Sequence, residues 1–192
     1  MNQDIGRAIV FSMPVVSAAV SLILISLDTT RSSNTVDRKI HYNMIAVYCL
    51  MILFWSGLVM HSIARDTFIA YLPVFFSSFA FIPVFLYRIT HIITDTGERK
   101  LFPACHFILP ACLTLIICAI ALAVPLRQRW AAIYDNEVNL TSAIIDITFI
   151  VCILLCILYS WLSLLRIKSY KRKIIDYSAD IYRMSLDWLS FI

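Results

Sequence analysis

The chain has 192 residues, of which 61% are hydrophobic and only 15% charged, with a formal net charge of +4. A soluble domain is roughly 45–50% apolar and about 25% charged, and one soluble core cannot bury this many long apolar runs. A single globular soluble domain is therefore excluded. The positive charge is no nucleic-acid footprint either, because most of the basic residues flank apolar runs.

Crossing a bilayer takes about 20 mostly apolar residues, and five stretches reach that length. The first is expected at Ala8–Leu27. Its leader, MNQDIGR, and the length of the run do not fit a cleaved signal peptide, so it reads as a retained span. Ser17 and Ser21 stand four apart, a small-xxx-small spacing that lets another helix approach closely. The segment DTTRSSNTVDRK is a short polar linker.

The second span is expected at Tyr42–Ile63 and carries Gly57 and His61. His61 falls at its outer end, placed to bind a ligand or respond to pH. The third runs from Phe68 to Tyr87, with an extension to Ile93 left open. It is rich in aromatics and holds Pro73 and Pro83, each removing a helix hydrogen bond. Arg88 at its boundary is expected to snorkel to headgroups.

The fourth span is expected at Leu101–Val124, with Pro103 in its first turn, His106 one turn into the membrane and Pro110 bending its interior. LRQRWAAIYDNEVNLTS then reads as the longest external loop, with Trp130 and Tyr134 as interfacial anchors. The fifth span, Ala143–Leu165, holds Asp146 near its outer end. An acid at membrane depth is a functional-site candidate by default. The six cysteines all lie within or at the ends of spans and read as small apolar residues.

The segment RIKSYKRKIIDYSADIYR follows, carrying six of the sixteen Lys and Arg residues. A basic cluster beside a span is retained on the cytoplasmic side. With this tail inside and the N-terminus outside, twelve of the sixteen basic residues fall on inner segments. Ile167, Tyr170, Ile174 and Tyr177 recur at helical spacing between the basic residues, a pattern suited to a membrane surface or a partner helix. The expected fold is all-α and polytopic: a five-helix transmembrane domain over residues 1–165, then a basic juxtamembrane segment over 166–192 that includes the start of a sixth helix at Met184.

No H-E-x-x-H, P-loop, G-x-S-x-G or G-x-G-x-x-G pattern occurs. The expectation is a non-enzyme with no cofactor and no metal site. His61, His106 and Asp146 are the candidate ligand-binding residues.

The tail YKRKIIDYSADIYRMSLDWLSFI resembles a juxtamembrane segment in multi-span membrane regulators of Bacteroidota. In that family a basic run leads to an I-x-D-Y-x-S-like stretch, and S-L-x-W-L opens the next span. Ile174, Ile175, Asp176, Tyr177 and Ser178 match the first part, and Ser185, Leu186, Trp188 and Leu189 the second. The resemblance implies a sensory module in the bacterial cytoplasmic membrane that controls transcription through an AraC-type helix-turn-helix output domain. No such domain occurs in these residues, so the chain reads as truncated before it. Lys171, Arg172, Lys173, Asp176, Tyr177 and Trp188 would then form the membrane-surface and signal-relay segment. The expected partners are the lipid bilayer, a second copy of the chain as an option, and DNA only through the missing domain. Two alternatives stand beside this reading: the substrate-binding subunit of an importer, and a structural membrane interaction protein.

Overall fold

The computed structural model describes residues 2–31, 35–95, 102–135 and 140–177. Six α-helices account for nearly all of them: α1 (Asn2–Arg31), α2 (Thr35–Ile63), α3 (Arg65–Ile93), α4 (Ile108–Ala123), α5 (Leu126–Tyr134) and α6 (Leu140–Tyr177). A 3₁₀ turn, Ala104–Phe107, leads into α4. Five of the helices are long and apolar enough to cross a membrane. The fold is all-α and polytopic.

The helices outrun the apolar stretches that announce them. Asp4, Asp37 and Asp66 each stand in a first turn, where the helix dipole favours negative charge. Polar flanks therefore continue the helix instead of ending it. The break between α2 and α3 is a single residue, Ala64, with φ −132° and ψ 74°. α6 is the longest element. Its 38 residues make a rod of about 57 Å at 1.5 Å per residue, nearly twice the roughly 30 Å of hydrocarbon. The expected boundary at residue 165 falls inside this one helix, and the onset of a sixth helix at Met184 lies outside the described residues.

The fourth span and the loop after it differ from expectation. Pro103 stands before the 3₁₀ turn in an extended conformation, and Pro110 falls in the first turn of α4. The 3₁₀ turn runs directly into α4, so Pro110 bends nothing in the helix interior but offers no N–H to the carbonyl of His106 four residues earlier. The expected external loop contains α5, which starts directly after Pro125. Proline before the first turn presets the chain for helix.

α3 is the centre of the bundle and packs on α2, α4, α5 and α6, whereas α1 packs on α2. In its most apolar stretch 44% of residues are buried, against 11–17% in the other four spans. Lipid supplies no hydrophobic drive between helices, so close packing must hold the bundle together. Ile69, Ala80 and Val84 of α3 and Cys152 of α6 are almost fully buried. Phe54 of α2 stacks on Phe75 at 5.0 Å and leans on Phe79 at 5.0 Å, and Phe79 reaches Phe149 of α6 at 5.9 Å. Gly57 permits this approach, since a Cβ there would lie 2.6 Å from Phe75 Cδ2. The Tyr71 hydroxyl adds a bond to Leu53 O at 2.9 Å.

α1 meets α2 through buried Ala8 and Ala18, with Phe11 6.2 Å from Trp55. Ser17 is exposed, so the close-approach positions are the alanines and not the Ser17–Ser21 pair. All six cysteines are free thiols, with Cys152 buried and Cys49, Cys105 and Cys112 exposed.

Candidate functional site

Each proline inside a helix leaves the carbonyl four residues earlier without its backbone donor. In lipid such a carbonyl needs a donor from elsewhere. Two of the prolines are answered from a distant element. Pro110 frees the carbonyl of His106, and the Tyr159 hydroxyl on α6 donates to it at 3.2 Å. Pro73 frees the carbonyl of Ile69, and Arg129 on α5 donates Nη1 to it at 3.2 Å. The two pins sit at opposite ends of the bundle and define two clusters.

The first cluster gathers where α3 ends, α4 begins and α6 leaves the bundle. His106 Nδ1 lies 3.2 Å from the Tyr159 hydroxyl. The hydroxyl has one proton and gives it to the His106 carbonyl. The ring must then supply the proton for the second bond, which selects the Nδ1–H tautomer. Tyr87 packs edge-on to His106 at 5.4 Å, and Phe102 lies between His106 at 5.0 Å and buried His91 at 5.5 Å. Arg88 is half-buried at the same end of α3. Its guanidinium lies over the rings of Phe102 and Phe107, at 5.9 and 5.8 Å, where the π-faces attract it. One turn further on, the Thr94 hydroxyl donates to Thr90 O at 2.7 Å and accepts Arg166 Nε at 2.7 Å. Arg166 thereby ties the outgoing part of α6 to the end of α3.

The second cluster lies at the other end. Arg129 is buried at 7% exposure, and its Nε donates to Val124 O, the closing carbonyl of α4, at 3.1 Å. His61 meets Phe68 edge-on at 4.9 Å and leans on Tyr134 at 5.5 Å. The Arg65 guanidinium lies 5.2 Å over the Tyr134 ring. Among the described residues the buried Tyr134 hydroxyl finds no hydrogen-bond partner. That burial pushes the phenol up from its ordinary range, against the opposing pull of Arg65.

The three candidates from the sequence do not converge. His61 belongs to the second cluster and His106 to the first, while Asp146 is exposed on α6. Among the described residues no group of His, Cys, Asp and Glu could hold a metal ion. Lys171 and Arg172 stand on the last turns of α6. The side chains of Lys173, Asp176 and Tyr177, and all of Trp188, lie outside the described residues.

The sequence marks none of Tyr159, His91, Thr94 and Arg129 as a candidate binding residue. The readable signal was the pair of prolines, since each demands a donor from outside its own helix. The clusters and the fold define the class as an all-α polytopic membrane protein with two polar pins joining its central helices. No family model, curated protein or solved structure matches the chain.

Proposed function

We propose that the chain is the membrane-embedded sensory module of a bacterial transcription regulator, with the Arg166 end of the bundle in the cytoplasm. The observation that carries this reading is the continuity of α6. One helix runs from the Arg129 end through the core into the basic segment that resembles the regulators' juxtamembrane stretch. Its bonds to the bundle are few and specific, through Tyr159 to His106 and through Arg166 to Thr94. A change in how α3, α4 and α6 pack reaches Lys171 and Arg172 along a rod with no joint. A ligand drives such a change when it binds one packing better than the other.

The test uses the full-length protein in the bacterium that carries its gene. Thr94→Val removes the acceptor for Arg166 while keeping side-chain volume. Losing one such bond costs about 1 kcal/mol, enough to shift a two-state ratio about fivefold. A sensory module answers with a changed set of transcripts at unchanged protein level. An unchanged transcript profile counts against it. Loss of labelled-solute uptake on Asp146→Asn would move the importer reading to the front.

A further inference from the structure

We infer that Lys168 and Arg172, with the stripe of α6 below them, form a binding site for the phosphate head and one acyl chain of an anionic phospholipid. The inference goes beyond the sensory reading, since binding is expected whatever the chain signals.

An α-helix returns residues to one line at steps of three and four. Leu154, Ile157, Trp161, Leu165, Lys168 and Arg172 follow such steps along α6. All six are exposed, the four apolar ones between 47% and 62%. The stripe that the sequence assigns to a membrane surface lies elsewhere on the helix. Ile167 is buried at 4% exposure, and Tyr170 and Ile174 are half-buried. The apolar residues of the tail therefore serve the bundle, while Lys168 and Arg172 stand on the outer face.

The level of these two cations decides the partner. Arg166 bonds Thr94 at the end of α3, so its charge stays with the bundle. At 1.5 Å per residue, Lys168 and Arg172 stand about 3 and 9 Å beyond it. The polar layer on each face of a bilayer is about 5–8 Å deep, so both side chains fall at the level of its phosphates. Trp161 stands about two turns below Lys168. There an indole offers its faces to an acyl chain and its N–H to the ester carbonyls.

No Asp or Glu occurs between Ile147 and Arg172. Among the described residues neither Lys168 nor Arg172 forms an ion pair. Like charges four apart on a helix repel each other. One phosphate between them relieves that repulsion and accepts donors from both. A zwitterionic head brings its own ammonium, which the same pair repels. A free anion satisfies the cations but leaves the apolar stripe below them unused, whereas a lipid covers both.

The experiment uses the full chain in phosphatidylcholine nanodiscs that contain a small share of phosphatidylglycerol with a diazirine on one acyl chain. Crosslinks, mapped by mass spectrometry, are expected to saturate and to concentrate on Leu154, Ile157 and Trp161. The same diazirine on phosphatidylcholine should label these positions at least about tenfold less, since each basic residue near the surface is worth about a fivefold preference for anionic lipid. Raising the salt should shrink the difference. Lys168→Gln combined with Arg172→Gln should bring the anionic probe down to the zwitterionic level. Arg127→Gln, at an exposed cation near the other end of the bundle, should leave the labelling unchanged. Circular dichroism checks that the variants fold. Should the double variant fail to fold, the comparison of the two probes on the unmodified chain still decides.

Equal labelling by the two probes, crosslinks spread evenly over α1, α4 and α6, or undiminished labelling in the folded double variant would overturn the inference. So would loss of labelling in the presence of soluble glycerol phosphate, because the site would then take a small anion and not a lipid. Crosslinks between two copies of the chain through Trp161 would also overturn it, with the second copy as occupant. Labelling in nanodiscs is read without any transcript, so the site and the sensory reading stand or fall separately.

Discussion

Gly57 shows how much one missing methyl group matters in this bundle. Phe75, the side chain that an added Cβ would strike, is itself buried among Phe54, Phe68 and Phe76 and has no free direction to move. Gly57→Ala is therefore expected to cost about 1–3 kcal/mol, the usual penalty for overpacking. Gly6 is the built-in control, since a Cβ there meets nothing within 4 Å. Gly6→Ala should gain about 0.5–1 kcal/mol from backbone entropy alone. Thermal melts of the two variants in detergent micelles should thus move in opposite directions, and a shared sign would show that backbone propensity outweighs packing at Gly57. Both glycines are equally visible in the sequence. Only the neighbour across the helix interface separates them.

At the scale of the element, each pin pairs a proline with a donor on another helix. The Tyr159 hydroxyl answers the carbonyl that Pro110 leaves open, 53 residues away in the chain from its partner His106. Tyr159→Phe should cost about 1 kcal/mol in the parent protein, because it removes the donor from a half-buried acceptor. In a Pro110→Ala background the helix regains its own donor for that carbonyl, and the same change should cost less. A double-mutant cycle on reversible unfolding measures the difference. Equal costs in the two backgrounds would mean that the proline and the tyrosine act independently. This pairing also explains why the site was half legible. His106 is conspicuous as a histidine inside an apolar run, but its partner is an ordinary tyrosine in another span. Arg129 read as one of several loop charges, because sequence spacing does not reveal that the expected loop coils into α5 and turns that side chain inward.

For the whole molecule, the distribution of basic residues and the helix order make one joint prediction. The C-terminal ends of α1, α3 and α6 share one side of the bundle, and the α2–α3 turn and α5 lie on the other. Reporter fusions at Arg31, Asp95 and Tyr170 should report the cytoplasm, and fusions at Asp66 and Asp135 the outside. A reversed pattern would overturn the proposed orientation and move Lys171 and Arg172 away from any cytoplasmic output.

The number of spans and the fold class are written in the sequence, because hydrocarbon imposes a demand that is local and one-dimensional: about 20 apolar residues per crossing, each with its backbone bonded internally. The helix ends were underestimated, since polar flanks with an acid in the first turn extend a helix without lengthening its apolar run. Tertiary structure alone decided that α3 is the hub, that the expected loop folds as α5, and that His61, His106 and Asp146 stand apart while Tyr159 and Arg129 do the pinning. The reason is that partners for a freed carbonyl or a buried charge are chosen by distance in space, and neither composition nor periodicity records which helices become neighbours.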